Sequence, residues 1–165
     1  MGKYTNFLRE SDLFYNLTPV QFELIESICQ ELNFKKGEFI FDENSRDNDL
    51  YLILQGKVEV VVSLGLVTTE LTTDETPRVI AILQRGQSFG EMALVDGGVR
   101  SASVRAADKS TRVIFLPRKK LMMLCETYPE LGYRVMFNLA ADLAQKIRNT
   151  DLKLRDALLT SSNTR

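Results

Sequence analysis

The 165-residue chain has no histidine, no tryptophan and only two cysteines. The missing histidine excludes the most. A haem on a proximal His, a Ser-His-Asp triad and a Cys-His pair all need an imidazole, and so does a typical metal site in a small β-barrel. No carboxylate pair stands at a spacing suited to hydrolysis. No catalytic residue, metal ligand or cofactor is therefore expected, and the chain reads as a non-enzyme. Cys29 and Cys125 cannot supply the four thiolates of an iron–sulfur cluster. Each lies in an apolar-periodic stretch and is expected to be a buried, reduced thiol. No apolar run approaches the roughly 20 residues of a membrane span. Met1-Gly2-Lys3-Tyr4 lacks the apolar stretch of a signal peptide, and Asn6 occupies the Ser/Thr place of a myristoylation motif. The cytoplasm is the expected compartment, with no membrane contact. A net charge of -1 supplies no bulk positive field for nucleic acid, so no direct DNA binding by this chain is expected.

What is present is ordinary globular composition, 44% hydrophobic and 26% charged, enough for one domain with an appended element. Thr5 to Leu32 reads as an N-terminal helical segment (1–32), in which Thr18 before Pro19 is an N-cap signal. Phe22, Ile25, Ile28 and Leu32 recur at helical spacing. From Asn33 the period changes to two, with Phe34, Phe39, Phe41, Leu50, Leu52, Leu54, Val58, Val60 and Val62 in short runs separated by Gly and Asn/Asp turns. Many short strands with regular turns predict an antiparallel sandwich or barrel over 33–116, rather than a parallel sheet. The Thr-rich stretch 65–78 is expected to be a long exposed hairpin loop, with strands resuming at 79–83, 101–106 and 112–116. Helices return over 117–160. After Pro129 the positions Leu131, Val135, Leu139, Leu143, Ile147, Thr150, Leu154 and Leu158 form one stripe spanning roughly 40 Å. That is too long for a small barrel to cover, so a homodimer through this helix is expected, the alternative being a helix that only folds back over its own barrel. Residues 161–165 are expected to be a disordered tail.

The segment that carries chemistry is Phe89-Gly90-Glu91-Met92-Ala93-Leu94-Val95-Asp96-Gly97-Gly98-Val99-Arg100-Ser101-Ala102-Ser103-Val104. Gly90 permits a tight backbone, and residues 91–94 can form about one helical turn with free N–H groups at its start. The Asp96-Gly97-Gly98 turn then returns Arg100 to that same end. A guanidinium facing backbone N–H donors suits a planar, doubly oxygenated anion such as a phosphodiester. An acid at Glu91 repels an anion, and makes sense if the ligand also offers hydroxyls, as a ribose does. The plainer alternatives are a surface Arg100 paired to Asp96, and a Glu91 that only complements a helix N-terminus.

This segment resembles the phosphate-binding cassette of the cyclic-nucleotide-binding domain superfamily. The family pattern is Phe-Gly-Glu, apolar, Ala-Leu, a short turn, then Arg, a small residue, Ala, Ser or Thr, and Val. Gly37, Gly56 and Gly86 match its turn glycines. The resemblance implies a jelly roll, or double-stranded β-helix, with flanking helices: mostly β, with N-terminal helices and a long C-terminal helix. It implies that Arg100 pairs with the exocyclic phosphate oxygens and Glu91 accepts from the ribose 2′-hydroxyl. Phe89, Gly90, Met92 and Ala93 line the sugar-phosphate, Ser101 donates to the phosphate, and Ala102 keeps the wall shallow. Val60, Ile80 and Leu83 form the floor under the base. The helix residue over the base is Lys146 or Thr150. Ser101, where cGMP-selective members often carry Thr, leans toward cAMP over cGMP. A DNA-binding activator of this type has a further helix-turn-helix, which is absent before Arg165, so a stand-alone sensor with an unknown downstream protein is expected. Its alternatives are a fragment of a larger regulator, or a degenerate fold that acts as a protein-interaction module.

Overall fold

Thr18 closes a capping box before Pro19: its hydroxyl accepts from the Gln21 N–H, and the Gln21 side chain accepts from the Thr18 N–H. Two orphan donors are thereby satisfied, and a helix starts where the sequence indicates. The computed structural model describes residues 2–63 and 76–162. It begins with α1 (Thr5–Glu10), a short 3-10 turn (Asp12–Phe14) and α2 (Pro19–Ile28). Among the described residues, the strands β1 (Gln30–Phe34), β2 (Phe39–Phe41), β3 (Leu50–Gln55), β4 (Lys57–Val62), β5 (Arg78–Gln84), β6 (Ser88–Phe89), β7 (Ser103–Ala106) and β8 (Thr111–Leu116) follow, with α3 (Glu91–Asp96) between β6 and β7. The chain closes with α4 (Arg118–Thr127) and α5 (Pro129–Ser162).

The strands form two four-stranded sheets in the orders β1-β8-β3-β6 and β2-β7-β4-β5. Every pairing is antiparallel. This is the antiparallel two-sheet arrangement that the turn spacing implied, in the jelly-roll form that the family resemblance implied. The alternation along β3 divides the interior in two. Leu50, Leu52 and Leu54 join Ile114 and Leu116 of β8 under the helices, in one core with Phe14, Ile25, Leu121, Leu131, Val135 and Leu139. Tyr51 and Ile53 point the other way, into the barrel, with Val58, Phe89, Val104 and Val113. Successive side chains of a strand leave opposite faces, so β3 is buried on both.

Several expectations need correcting. The N-terminal segment is not helical to Leu32: strand pairing with β8 begins at Gln30, and Leu32 packs in the barrel core rather than on the α2 face. The strand after the cassette starts at Ser103, not 101. Residues 161 and 162 still belong to α5, so no disordered tail begins at 161; residues 163–165 lie outside the described residues. Of the predicted loop, 65–75 also lies outside them, and Arg78 is already strand. The α5 stripe runs past the barrel, as its length implied. Leu131, Val135 and Leu139 are fully buried against the domain, Leu143 packs at its edge, and Ile147, Leu154 and Leu158 are exposed.

Candidate functional site

Gly90 caps α3 in the left-handed region, φ 85°. A Cβ there would stand 2.6 Å from Arg100 Nη1 and 2.8 Å from the Asp49 carbonyl oxygen. Glycine is thus what lets the Arg100 guanidinium reach the start of α3. Arg100 is 2% exposed. Its Nη1 donates to the Gly90 carbonyl at 2.9 Å, its Nη2 to the Asp49 carbonyl at 2.8 Å, and its Nε to Asp47 Oδ1 at 3.1 Å. Nη2 also bonds Asp47 Oδ1. The plane lies over the Phe41 ring, 4.0 Å from its centroid, an arrangement suited to a delocalised cation. The Arg100 main chain is bonded both ways to the 42–49 loop, accepting from Asn44 N–H at 2.8 Å and donating to the Ser45 carbonyl at 2.9 Å. A surface pairing with Asp96 is ruled out: Asp96 instead accepts from the Gly98 N–H. Beside Arg100, burial and then the Asp47 charge push the Tyr51 hydroxyl up to about 12. It stays neutral, stacked 5.2 Å from Phe89.

Glu91 sits in the first turn of α3 but is only 7% exposed, so complementing a helix terminus does not account for it. Its Oε1 takes an ion pair from Lys146 Nζ at 3.0 Å. That ammonium also donates to the Ser88 carbonyl and to Asp142 Oδ2, each at 2.8 Å. Helix α5 is thereby fastened over the cassette. Glu91 Oε2 is buried and has no hydrogen-bond partner among the described residues. A buried carboxylate oxygen left unpaired is costly, and its natural complement is a hydroxyl or N–H donor.

Arg100 and Glu91 open into one cavity of about 890 Å³ bounded by the cassette, the barrel and α5. That volume suits a mononucleotide-sized ligand. All the sequence candidates line it. Phe89, Gly90, Glu91, Met92, Ala93, Arg100, Ser101 and Ala102 form the cassette side. Val60, Ile80 and Leu83 form the apolar wall from β4 and β5. Lys146 and Thr150 come from α5, one turn apart, with the Thr150 hydroxyl turned back to the Lys146 carbonyl. Sequence reading missed Phe41, which is both in the wall and under Arg100, and missed Asp47 and Asp49. The Asp47-Asn48-Asp49 run looks like any polar turn before a strand. Its only distinguishing mark is two carboxylates directly ahead of a strand that is apolar from Leu50 to Leu54.

A buried arginine fork, an orphaned carboxylate oxygen and a cavity that joins them on a jelly roll agree with what the comparisons find. The model of the cyclic nucleotide-binding domain family matches residues 31–128. The chain belongs to the cyclic nucleotide-binding domain family. This cyclic nucleotide-binding domain is 35% identical over 147 residues to the cyclic AMP receptor protein of Thermus thermophilus, covering 89% of this chain and 62% of that protein. The crystal structure of Thermus thermophilus catabolite activator protein superposes with a TM-score of 0.71 at 34% identity, over 91% of this chain and 63% of that one. Human cGMP-dependent protein kinase 2 is 29% identical over 129 residues, 78% of this chain but 16% of the kinase. The chain thus spans less than two thirds of the length of these relatives. Among the described residues, no helix is long and apolar enough to cross a membrane.

Proposed function

We propose that this domain is a cytoplasmic, non-catalytic sensor that binds cAMP in preference to cGMP and reports occupancy through α5. The observation that carries the reading is the unpaired, buried Oε2 of Glu91 in the same cavity as the Arg100 guanidinium. A ligand that satisfies both must offer an anion and a hydroxyl donor a few ångströms apart, which a ribose cyclic phosphate does. Arg100 takes the exocyclic oxygens by charge-assisted bonds, aided by the N–H groups of the α3 first turn and by Ser101. Glu91 Oε2 accepts the 2′-hydroxyl. The base lies on Val60, Ile80 and Leu83. Because Lys146 is already committed to Glu91, it belongs to the sugar end. Thr150, one turn on, is the residue that meets the base. Ser101 in place of Thr, together with the cAMP-receptor relative, favours adenine.

Signalling follows from the same contacts. A ligand shifts an equilibrium only by its differential affinity for two states. The Lys146–Glu91 ion pair joins the cavity to α5, so a ligand that bonds Glu91 changes what holds the helix. The outer face of α5 supplies a place for a second copy. Tyr133, Phe137, Leu154 and Leu158 are exposed on it, and Ile147 is exposed at its edge, where it also lines the cavity. With Ala140, Ala144 and Asp151 they stand at alternating steps of four and three, the heptad period of a coiled-coil seam. The reading is therefore of a homodimer through α5 that signals to a downstream protein.

Calorimetry with cAMP and cGMP tests the ligand, and sedimentation tests the dimer. Saturable heat with cAMP, weaker with cGMP, and a dimer that Leu154→Asp converts to monomer are expected. No heat with either nucleotide at millimolar concentration, with the dimer intact, would instead favour a protein-interaction module that has lost its ligand.

A further inference from the structure

Helix α4 starts at Arg118 behind Pro117, a residue whose side chain cannot cap it, and no side-chain cap comes from its own first turn. The cap comes from far away in sequence. Asp49 Oδ1 accepts the Arg118 N–H at 2.7 Å. The main-chain oxygen of the same Asp49 accepts Arg100 Nη2 at 2.8 Å. One residue thus touches the cassette arginine with its backbone and the N-terminus of α4 with its carboxylate. The circuit closes on its other side, because Arg118 Nε donates to the Leu94 carbonyl in α3 at 2.8 Å. Arg118 itself does not line the cavity. Beyond it, α4 crosses α5 so closely that a Cβ on Gly132 would lie 2.6 Å from the Cys125 carbonyl oxygen.

We infer that Asp49 is a positioning residue that couples the Arg100 guanidinium to the first turn of α4, and through α4 to α5. It rests on the reading of Arg100 as the phosphate grip only for what triggers the coupling. The coupling itself is a property of the chain. When a bound phosphate draws the guanidinium, the Asp49 carbonyl loses or realigns its donor. The peptide turns, and the carboxylate turns with it. A charge-assisted bond to a helix-terminal N–H is short and directional, so the first turn of α4 follows. Packing then passes the displacement to α5, since close-packed helices cannot deform independently.

Amide hydrogen exchange on the whole chain tests this without nucleotide. The readouts are the amides of Arg118 and Leu121, the latter bonded to the Pro117 carbonyl. Arg100→Gln should speed their exchange by about threefold or more, the lower range of measured intersite coupling. In an Asp49→Ala background the same change should add almost nothing, and Asp49→Asn, which keeps an acceptor at Oδ1, should restore the effect. Equal effects of Arg100→Gln in both backgrounds overturn the coupling. Asp49→Ser serves in the same cycle if Asp49→Ala does not fold. A second arm needs no variant: adding cAMP to the unmodified chain should move the amide resonances of Arg118 and Leu121 together with those of 90–94. Movement at 90–94 alone overturns the inference while leaving the ligand reading intact. If no resonance moves, the ligand reading fails, and the exchange cycle still decides Asp49.

Discussion

Replacing Arg100 by Lys separates charge from geometry. The guanidinium uses three nitrogens on three acceptors: the Asp47 carboxylate and the carbonyls of Gly90 and Asp49. A lysine ammonium is a compact point charge with no planar fork, so it can keep the Asp47 pair but not both carbonyls. Each buried acceptor left without a donor costs about 1–3 kcal/mol. With one carbonyl unpaired, the loss of folding stability is about 1–3 kcal/mol. A domain of about 150 residues loses roughly 2–4 °C per kcal/mol, so the midpoint should fall by about 2–12 °C. Binding suffers separately. A bidentate grip on a phosphodiester becomes a single bond, and a hydrogen bond to a charged group is worth about 1.5–3 kcal/mol. Affinity for cAMP should therefore drop roughly 10- to 200-fold. Calorimetric titration measures the affinity, and differential scanning calorimetry the midpoint. If Arg100→Lys bound cAMP within twofold of the parent, charge alone would suffice, and the fork geometry would be irrelevant to the site.

Glu91→Gln should erase discrimination for the ribose hydroxyl. The parent is expected to bind cAMP about 10- to 200-fold better than 2′-deoxy-cAMP, the range of one charge-assisted bond, and the variant to bind the two alike; an undiminished preference in paired titrations counts against the role of Oε2. Alkaline pH should destabilise the fold in a defined window. Burial raises the Cys29 thiol from 9.0 to about 12, so its stabilisation is fully present below pH 9 and is lost as pH rises toward 12, because the folded chain there binds more protons than the unfolded one. At about 1.4 kcal/mol per tenfold the loss reaches roughly 4 kcal/mol at most, and urea titrations of Cys29→Ala from pH 8 to 11 should show a shallower decline than the parent. Tyr51, also raised to about 12, leaves part of the slope in that variant.

The sequence by itself determined the local pieces. Thr18-Pro19 specified the start of α2, because a capping box is built from residues three apart. The change from a period of 3.6 to a period of two marked helix from barrel, since it reflects side-chain direction along one element. The run from Phe89 to Val104 marked the cassette, because Gly90, Glu91 and Arg100 lie within a dozen residues. Local patterns failed where an interaction was distant. Gln30 to Leu32 carries a helical apolar spacing yet forms β1, since pairing with β8 outweighs propensity. Leu131 and Leu154 belong to one stripe on paper, but only the first reaches the domain, and nothing in the α5 sequence says where the barrel ends. Asp47 and Asp49 looked like turn residues. Only the fold brings them across some fifty residues to Arg100, and Asp49 across 69 to Arg118. The residue types for an anion and a hydroxyl were therefore legible in one short segment. What holds Arg100 in place, and what Lys146 fastens over Glu91, was decided by tertiary structure, because hydrogen-bond partners depend on distance in space and leave no period in the chain.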